Sequence, residues 1–300
     1  MNNQLTTLLK KTRASQPFNR IATSGVQALM AGGRIKSEFI IRHLHRLGTV
    51  RSRLPNGSIL TLWSRGDDWV SNQIFWRGWD GYEPETVPLF YRLSIRAKIT
   101  FDVGAYVGYF SLLAAHANHQ GRVYAFEPLP SVFDRLVRNI ELNHLTNVEC
   151  LAIAVGETDG TAEFWHMDLE TPTSSSLSFE FMRSTENLVS TVVPVITLDR
   201  FVREHNPGQV ELVKLDTEST EYQVLRGMSE TLRRDHPIII SEVLMGRGGE
   251  APLEEVMRHF DYRFYHLTPK GPVLRDKVEG HPEWLNYLFT TLSPDEVAGL

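Results

Sequence analysis

Phe101-Asp102-Val103-Gly104-Ala105-Tyr106-Val107-Gly108-Tyr109-Phe110 is an apolar strand pattern that runs into glycines and then directly into a helical pattern. Gly104 suits a tight turn with no Cβ in the way of an approaching ligand. The N–H groups at the start of the following helix then face that ligand. Such a strand–turn–helix serves dinucleotides and other nucleoside cofactors. It is not a phosphate-binding P-loop, which needs a Lys-Ser/Thr pair, and it departs from G-x-G-x-x-G because position 106 is Tyr. Taken alone, it is also compatible with a turn that uses glycine for packing only.

Working outward, Val123-Tyr124-Ala125-Phe126-Glu127-Pro128 is a second apolar strand, ending in an acid 23 residues after Gly104. An acid at the end of the second strand is placed to accept hydrogen bonds from both hydroxyls of a ribose. A free ribose diol occurs in NAD and in S-adenosylmethionine alike, so these residues leave both open.

The same alternation continues downstream. Strand patterns at 99–103, 123–126, 148–155, 211–215 and 238–243 alternate with helical patterns at 107–118, 131–143, 198–205, 221–233 and 253–260. Shorter strands are expected at 161–165 and 192–196, around the Ser-rich loop 171–178, and a closing pair at 262–266 and 284–290. Repeated strand–helix–strand units predict a mostly parallel sheet with helices on both faces, and the closing pair predicts an antiparallel edge. Upstream, 21–47 reads as helical with a break at Gly32-Gly33. Pro55-Asn56-Gly57 between apolar runs predicts a β-hairpin.

Val213-Lys214-Leu215-Asp216-Thr217-Glu218-Ser219-Thr220-Glu221 places an acid at a strand end and two more in the loop and first helical turn. Ligands bind at that carboxyl edge in open α/β sheets, and three acids exceed what a helix dipole needs. Glu242 ends the next strand at the same edge. Asp216, Glu218, Glu221 and Glu242 are therefore the catalytic candidates. His116 and His166 are weaker ones, since a lone histidine usually serves packing. A carboxylate cluster also suits a divalent cation, but no metal site is assigned.

These motifs together resemble the FkbM-type family of S-adenosylmethionine-dependent methyltransferases. The resemblance rests on FDVGAYVGYFSL (101–112), VYAFEPLPSVFDRLVRNIELN (123–143), TLDRF (197–201), VKLDTESTEYQVLRG (213–227), PIIISE (237–242) and NYLF (286–289), with WDGYEPE (79–85) as the entry to the domain. It implies the class I methyltransferase (Rossmann-like) α/β fold: a seven-stranded, mostly parallel sheet with an antiparallel edge strand. Here that fold carries an N-terminal helical and hairpin extension, with the division at 1–78 and 79–300. It implies that Asp102, Gly104, Ala105 and Gly108 line the methionine part of the cofactor, that Glu127 holds the ribose, and that Pro128 and the end of the third strand border the adenine. Glu83, Tyr106, Tyr109, Phe110, Ala154 and Asp216 complete the implied cofactor-binding set. Asp216 and Glu218 would lie near the sulfonium and the acceptor. The sequence departs from the family at three positions, with Tyr106 for Asn, Ser219 for Gly and Thr220 for a frequent His.

The resemblance implies O-methylation of a hydroxyl on a sugar, as a glycan, glycolipid or glycosylated metabolite. Two other classes stay open: a nicotinamide-dependent oxidoreductase on the same sheet, and a non-catalytic cofactor-binding scaffold. Trp76, Trp79 and Trp165 are candidates for stacking on a sugar ring, or else for packing.

The 300 residues carry 31 basic and 36 acidic side chains, a net charge of −5. Hydrophobic residues make up 42%, which excludes a disordered or fibrous chain. The charge is split: residues 1–50 hold eight basic residues and one acid, so the acidic excess lies downstream. That basic segment suits a peripheral membrane surface, an anionic polymer or packing on a partner subunit, a homo-oligomer included; no nucleic-acid partner is expected. A single cysteine, Cys150, excludes an internal disulfide and a cysteine-based zinc site. A reducing, cytoplasmic setting is expected. Residues 1–20 lack acids and read as a mobile tail, a composition shared with transit peptides.

Overall fold

In the computed structural model, which describes residues 6–7, 11–12, 15–31, 37–172 and 175–300, the 101–110 stretch begins in β3 (Ile99–Val103). All five residues of β3 are buried, as expected for a central strand covered on both faces. It pairs in parallel with β4 (Arg122–Phe126) on one side and β10 (Leu212–Leu215) on the other. The parallel run is completed by β5 (Val148–Leu151) beyond β4 and β11 (Ile238–Glu242) beyond β10.

The full order is β13-β12-β14-β11-β10-β3-β4-β5. β14 (Asn286–Thr290) runs antiparallel between β11 and β12 (Arg263–Thr268). β13 (Gly271–Arg275) adds an antiparallel edge by folding back from β12. The expected seven strands are all present, so the sheet has one strand more than predicted. The two-residue link Pro269-Lys270, followed by left-handed Gly271, makes that extra hairpin.

Three predicted strands behave differently. The 148–155 run divides: Val148–Leu151 stays in the main sheet, whereas β6 (Ala154–Val155) pairs with β9 (Leu188–Ile196). With β7 (Gly160–Met167) and β8 (Ser175–Ser176) these form a separate sheet of order β6-β9-β7-β8. The expected short strands at 161–165 and 192–196 lie within β7 and at the C-terminal end of β9.

Helices α5 (Tyr109–Ala117) and α6 (Pro130–Leu142) follow β3 and β4, and α8 (Leu198–His205) precedes β10. Phe201 of α8 meets Phe101, Tyr124 and Phe126 edge to face at 5.1–5.7 Å, tying helix to sheet. The predicted helix 221–233 is two, α9 (Glu221–Arg226) and α10 (Ser229–Asp235). They part at Gly227, where a Cβ would stand 2.1 Å from the Gly156 carbonyl oxygen.

The chain divides into two compact units, Met1–Tyr82 and Glu83–Leu300. The smaller one holds α1 (Gln16–Ala31), α2 (Glu38–His43), the hairpin β1 (Gly48–Arg53) with β2 (Ile59–Ser64), and α3 (Trp69–Arg77). The hairpin turns at Pro55-Asn56-Gly57 as predicted, with Gly57 left-handed and Leu54 N donating to Ser58 O. Leu44, Val50, Leu60, Leu62 and Ile74 are buried there. The helical reading of 21–47 is corrected: α1 begins at Gln16, inside the predicted tail, and the Gly32-Gly33 break lies outside the described residues.

Candidate active site

The carboxyl edge of β3, β4, β10 and β11 collects most of the predicted residues. The turn after β3 is held from within: Gly104 N and Ala105 N both donate to Phe126 O (3.1 and 2.9 Å), and Gly108 N donates to Ala105 O (2.8 Å). Gly104 has φ +81°, and a Cβ on it would stand 1.9 Å from Asp216 O. The glycine is thus required by the approach of the chain's own β10 loop, whereas the sequence suggests a ligand at that spot. Gly108 is also left-handed, and α5 starts only after it, at Tyr109. The predicted helix start at 107 is two residues early for that reason.

Glu127 lies buried just past β4. Its Oε2 accepts from Tyr106 N at 3.0 Å and its Oε1 from Leu129 N at 2.9 Å. Burial pushes its carboxyl up to about 8, against the pull of these two N–H donors. Each oxygen keeps acceptor capacity beyond its one backbone donor. Asp102, within β3, is fully buried and accepts from Ser111 Oγ at 2.5 Å. Burial raises its carboxyl to about 6. Asp102 is therefore committed to α5 at the base of the turn.

A buried cation organises the opposite side. Lys214 Nζ donates to Asp216 Oδ2 (3.1 Å) and Asn286 Oδ1 (3.3 Å) and stands 4.8 Å above the Phe110 ring. Asn286 Nδ2 in turn donates to Glu83 Oε2 at 2.9 Å. Burial, the largest influence, lowers the Lys214 pKa, but Asp216, Glu83 and Glu242 together carry it above its ordinary value. Lys214 is the centre of this network, and it and Asn286 have no role in the sequence reading. The legible signal is a lysine inside the apolar strand Val213-Lys214-Leu215, where nothing but paired charge keeps a cation buried.

The four acids occupy different positions. Asp216 pairs with Lys214 and keeps a partly exposed side chain (22%). Glu221 turns back, its Oε1 accepting from Thr217 N (2.8 Å) and Thr217 Oγ1 (3.1 Å), so it braces the loop. Glu218 has φ +55° and its carbonyl accepts from Ser176 Oγ at 2.7 Å. Glu242 is buried, and its Oε2 has no hydrogen-bond partner among the described residues. Burial, then Asp216, Glu218 and Glu221, raise its pKa well above the ordinary carboxylate value, with Lys214 opposing.

Other candidates pack. Tyr109, Phe110 and Pro128 are buried, and Phe110 also meets Phe90 edge to face at 5.0 Å. Ala154 belongs to an apolar cluster with Leu129, Phe164 and Val193, against which Tyr106 packs. His166 uses both ring nitrogens, on Met167 O and Thr191 Oγ1, and His116 bonds Asn143. Trp76 donates to Leu44 O and Asn72 Oδ1 within the smaller unit. Trp165 packs on Phe179 at 4.8 Å. Among the described residues, no group of three or more His, Cys, Asp or Glu is placed to hold a metal ion.

Two of the departures from the family pattern acquire a physical meaning. Tyr106 has φ +50° and Ser219 φ +77°. Asn tolerates the left-handed region better than other non-glycine residues, and Gly occupies it freely.

The Methyltransferase FkbM domain family matches residues 102–288, so the chain belongs to that family. The cofactor of the family is S-adenosylmethionine. The chain is 29% identical to Methyltransferase sdnD of Sordaria araneosa over 211 residues, 61% of this chain and 76% of that protein. It is 25% identical to the hexuronic acid methyltransferase AglP of Haloferax volcanii over 158 residues, 53% of this chain and 61% of that protein. It spans 57% to 76% of the lengths of the curated relatives it matches. Among solved structures it is similar to methyltransferase FkbM of Methylobacillus flagellatus, with TM-score 0.42 and 14% identity, covering 65% of this chain and 43% of that one. The class I methyltransferase fold and the cofactor expected from the sequence both stand.

Proposed function

We propose that the chain is an S-adenosylmethionine-dependent O-methyltransferase whose acceptor is a hydroxyl group of a sugar. The observation that carries the methyl-transfer site is the pairing of buried Glu127 at the end of β4 with the Lys214-anchored Asp216 at the end of β10. Glu127 suits a ribose diol, because two backbone N–H groups fix the carboxylate and leave further acceptor positions on both oxygens. The acids around Asp216 and Glu242 suit a sulfonium and an ammonium, both cationic.

When bound, the cofactor supplies a methyl group on an activated sulfur leaving group. The chain's own residues orient the acceptor and remove its proton. Glu127 and the acids around Asp216 would hold that cofactor, whose methyl carbon would be the electrophile and whose sulfur would take the electron pair of the broken bond. The hydroxyl proton passes to Asp216. Lys214 fixes Oδ2 of that carboxylate, which leaves Oδ1 for the acceptor. Glu221 and Ser176 hold the loop that follows.

The sugar class is supported by the relative named as a hexuronic acid methyltransferase. Family membership speaks against the nicotinamide reading. The test is transfer of labelled methyl from S-adenosylmethionine to a panel of methyl glycosides, methyl glucuronoside among them, beside calorimetry with S-adenosylhomocysteine and with NAD. S-adenosylhomocysteine binding and label on a sugar oxygen are expected. Binding of S-adenosylhomocysteine without transfer to any glycoside would contradict the proposal in favour of a scaffold.

A further inference from the structure

Helix α1 (Gln16–Ala31) packs through a mixed face, on which half-buried Val26 and Met30 flank polar side chains: buried Asn19 donates to His45 O (2.9 Å) and accepts from Leu47 N (2.8 Å). Buried Thr23 accepts from Arg46 Nη1 (2.8 Å), and Gln27 donates to Phe75 O (2.6 Å). The opposite face carries Phe18, Ile21, Gly25, Ala28 and Leu29, which at 3.6 residues per turn fall within a sector of about 100°. All five are exposed, with Phe18 at 59%, Ile21 at 74% and Leu29 at 38%. A water-facing helix normally carries polar side chains on its exposed face. A continuous exposed apolar stripe marks an interaction surface.

Charge identifies what that surface meets. Residues 1–37 contain six cations, Lys10, Lys11, Arg13, Arg20, Arg34 and Lys36, and no acid, in a chain whose net charge is −5. Cations therefore stand before, within and after the helix in sequence. Arg20 is exposed on α1 itself. An apolar stripe in an acid-free, cationic segment is the pattern of a helix lying in the plane of an anionic bilayer surface. No helix among the described residues is long and apolar enough to cross a membrane, so the contact is peripheral.

We infer that α1 docks the protein on anionic lipid through Phe18, Ile21 and Leu29, with Arg20 and the cations that flank the helix in sequence attracting the headgroups. The test is co-sedimentation of the full chain with vesicles of equal parts phosphatidylcholine and phosphatidylglycerol, against phosphatidylcholine alone. Binding is expected to the mixed vesicles only, and to weaken as salt is raised. Ile21→Asp and, separately, the milder Phe18→Ser are expected to weaken it about tenfold or more, with circular dichroism unchanged because both side chains point to solvent. Failure of the full chain to pellet with the mixed vesicles overturns the inference. So does pelleting unaffected by either variant. A salt-insensitive self-association abolished by the same variants would assign the stripe to a second copy of the chain and would overturn it equally.

Discussion

Glu127 sits in surroundings that oppose its charge and yet is supplied with two N–H donors. In the free protein its carboxyl is raised from 4.5 to about 8. Between these values the folded state holds a proton that the unfolded chain has released, so this group's contribution to stability falls as pH rises from about 4.5 to about 8 and is level above. Asp102, raised to about 6, acts in the same direction at lower pH. Urea unfolding of the wild type is therefore expected to show falling stability from about pH 5 to about pH 8, and Glu127→Gln a shallower fall. An identical slope in the variant would show that Glu127 is not the titrating group. Of these residues, the sequence makes the acid at the end of β4 legible through its position. It does not show that Tyr106 N and Leu129 N orient it, because that depends on the turn conformation. Lys214 is equally hidden, since a single lysine among apolar residues reads as a strand interruption until its partners at 83, 216 and 286 are brought together.

At the scale of elements, the loop Thr217–Thr220 holds its backbone in a constrained conformation. Glu218 and Ser219 are consecutive left-handed residues, which only an over-determined loop maintains. Glu221 braces it from α9 and Ser176 from β8. Among the described residues the buried Ser219 hydroxyl has no hydrogen-bond partner, so the side chain adds strain and an unmet polar group. Ser219→Gly is accordingly expected to stabilise the protein by about 1 kcal/mol, read as a higher urea midpoint at unchanged slope. A lower midpoint would mean the serine makes a compensating contact. The βαβ alternation was readable because each strand is a short apolar run followed by an amphipathic helix. What escaped were the places where a distant segment intervenes. The 221–233 helix breaks because Gly156 approaches Gly227, and the 148–155 strand divides because β9 captures Ala154–Val155. Neither partner lies near in sequence.

At the scale of the whole molecule, the net −5 is a sum over a basic N-terminal segment and an acidic remainder. Four of the acids converge on the carboxyl edge of the sheet, where Lys214 is buried among them, and this suits a cationic methyl donor. The basic segment belongs to the smaller unit, where α1 presents its apolar stripe. The charge split was visible in the sequence, but the exposure of the α1 stripe was not, because a helical wheel gives two faces without saying which one packs. The central claim, that the edge of β10 carries out methyl transfer to a hydroxyl, is tested most directly by Asp216→Asn. This change keeps the side chain's size and removes its capacity to take a proton. Transfer of labelled methyl from S-adenosylmethionine to the sugar hydroxyl is expected to fall about 100-fold or more, with the circular dichroism of the folded chain unchanged. Turnover equal to that of the wild type would contradict the account.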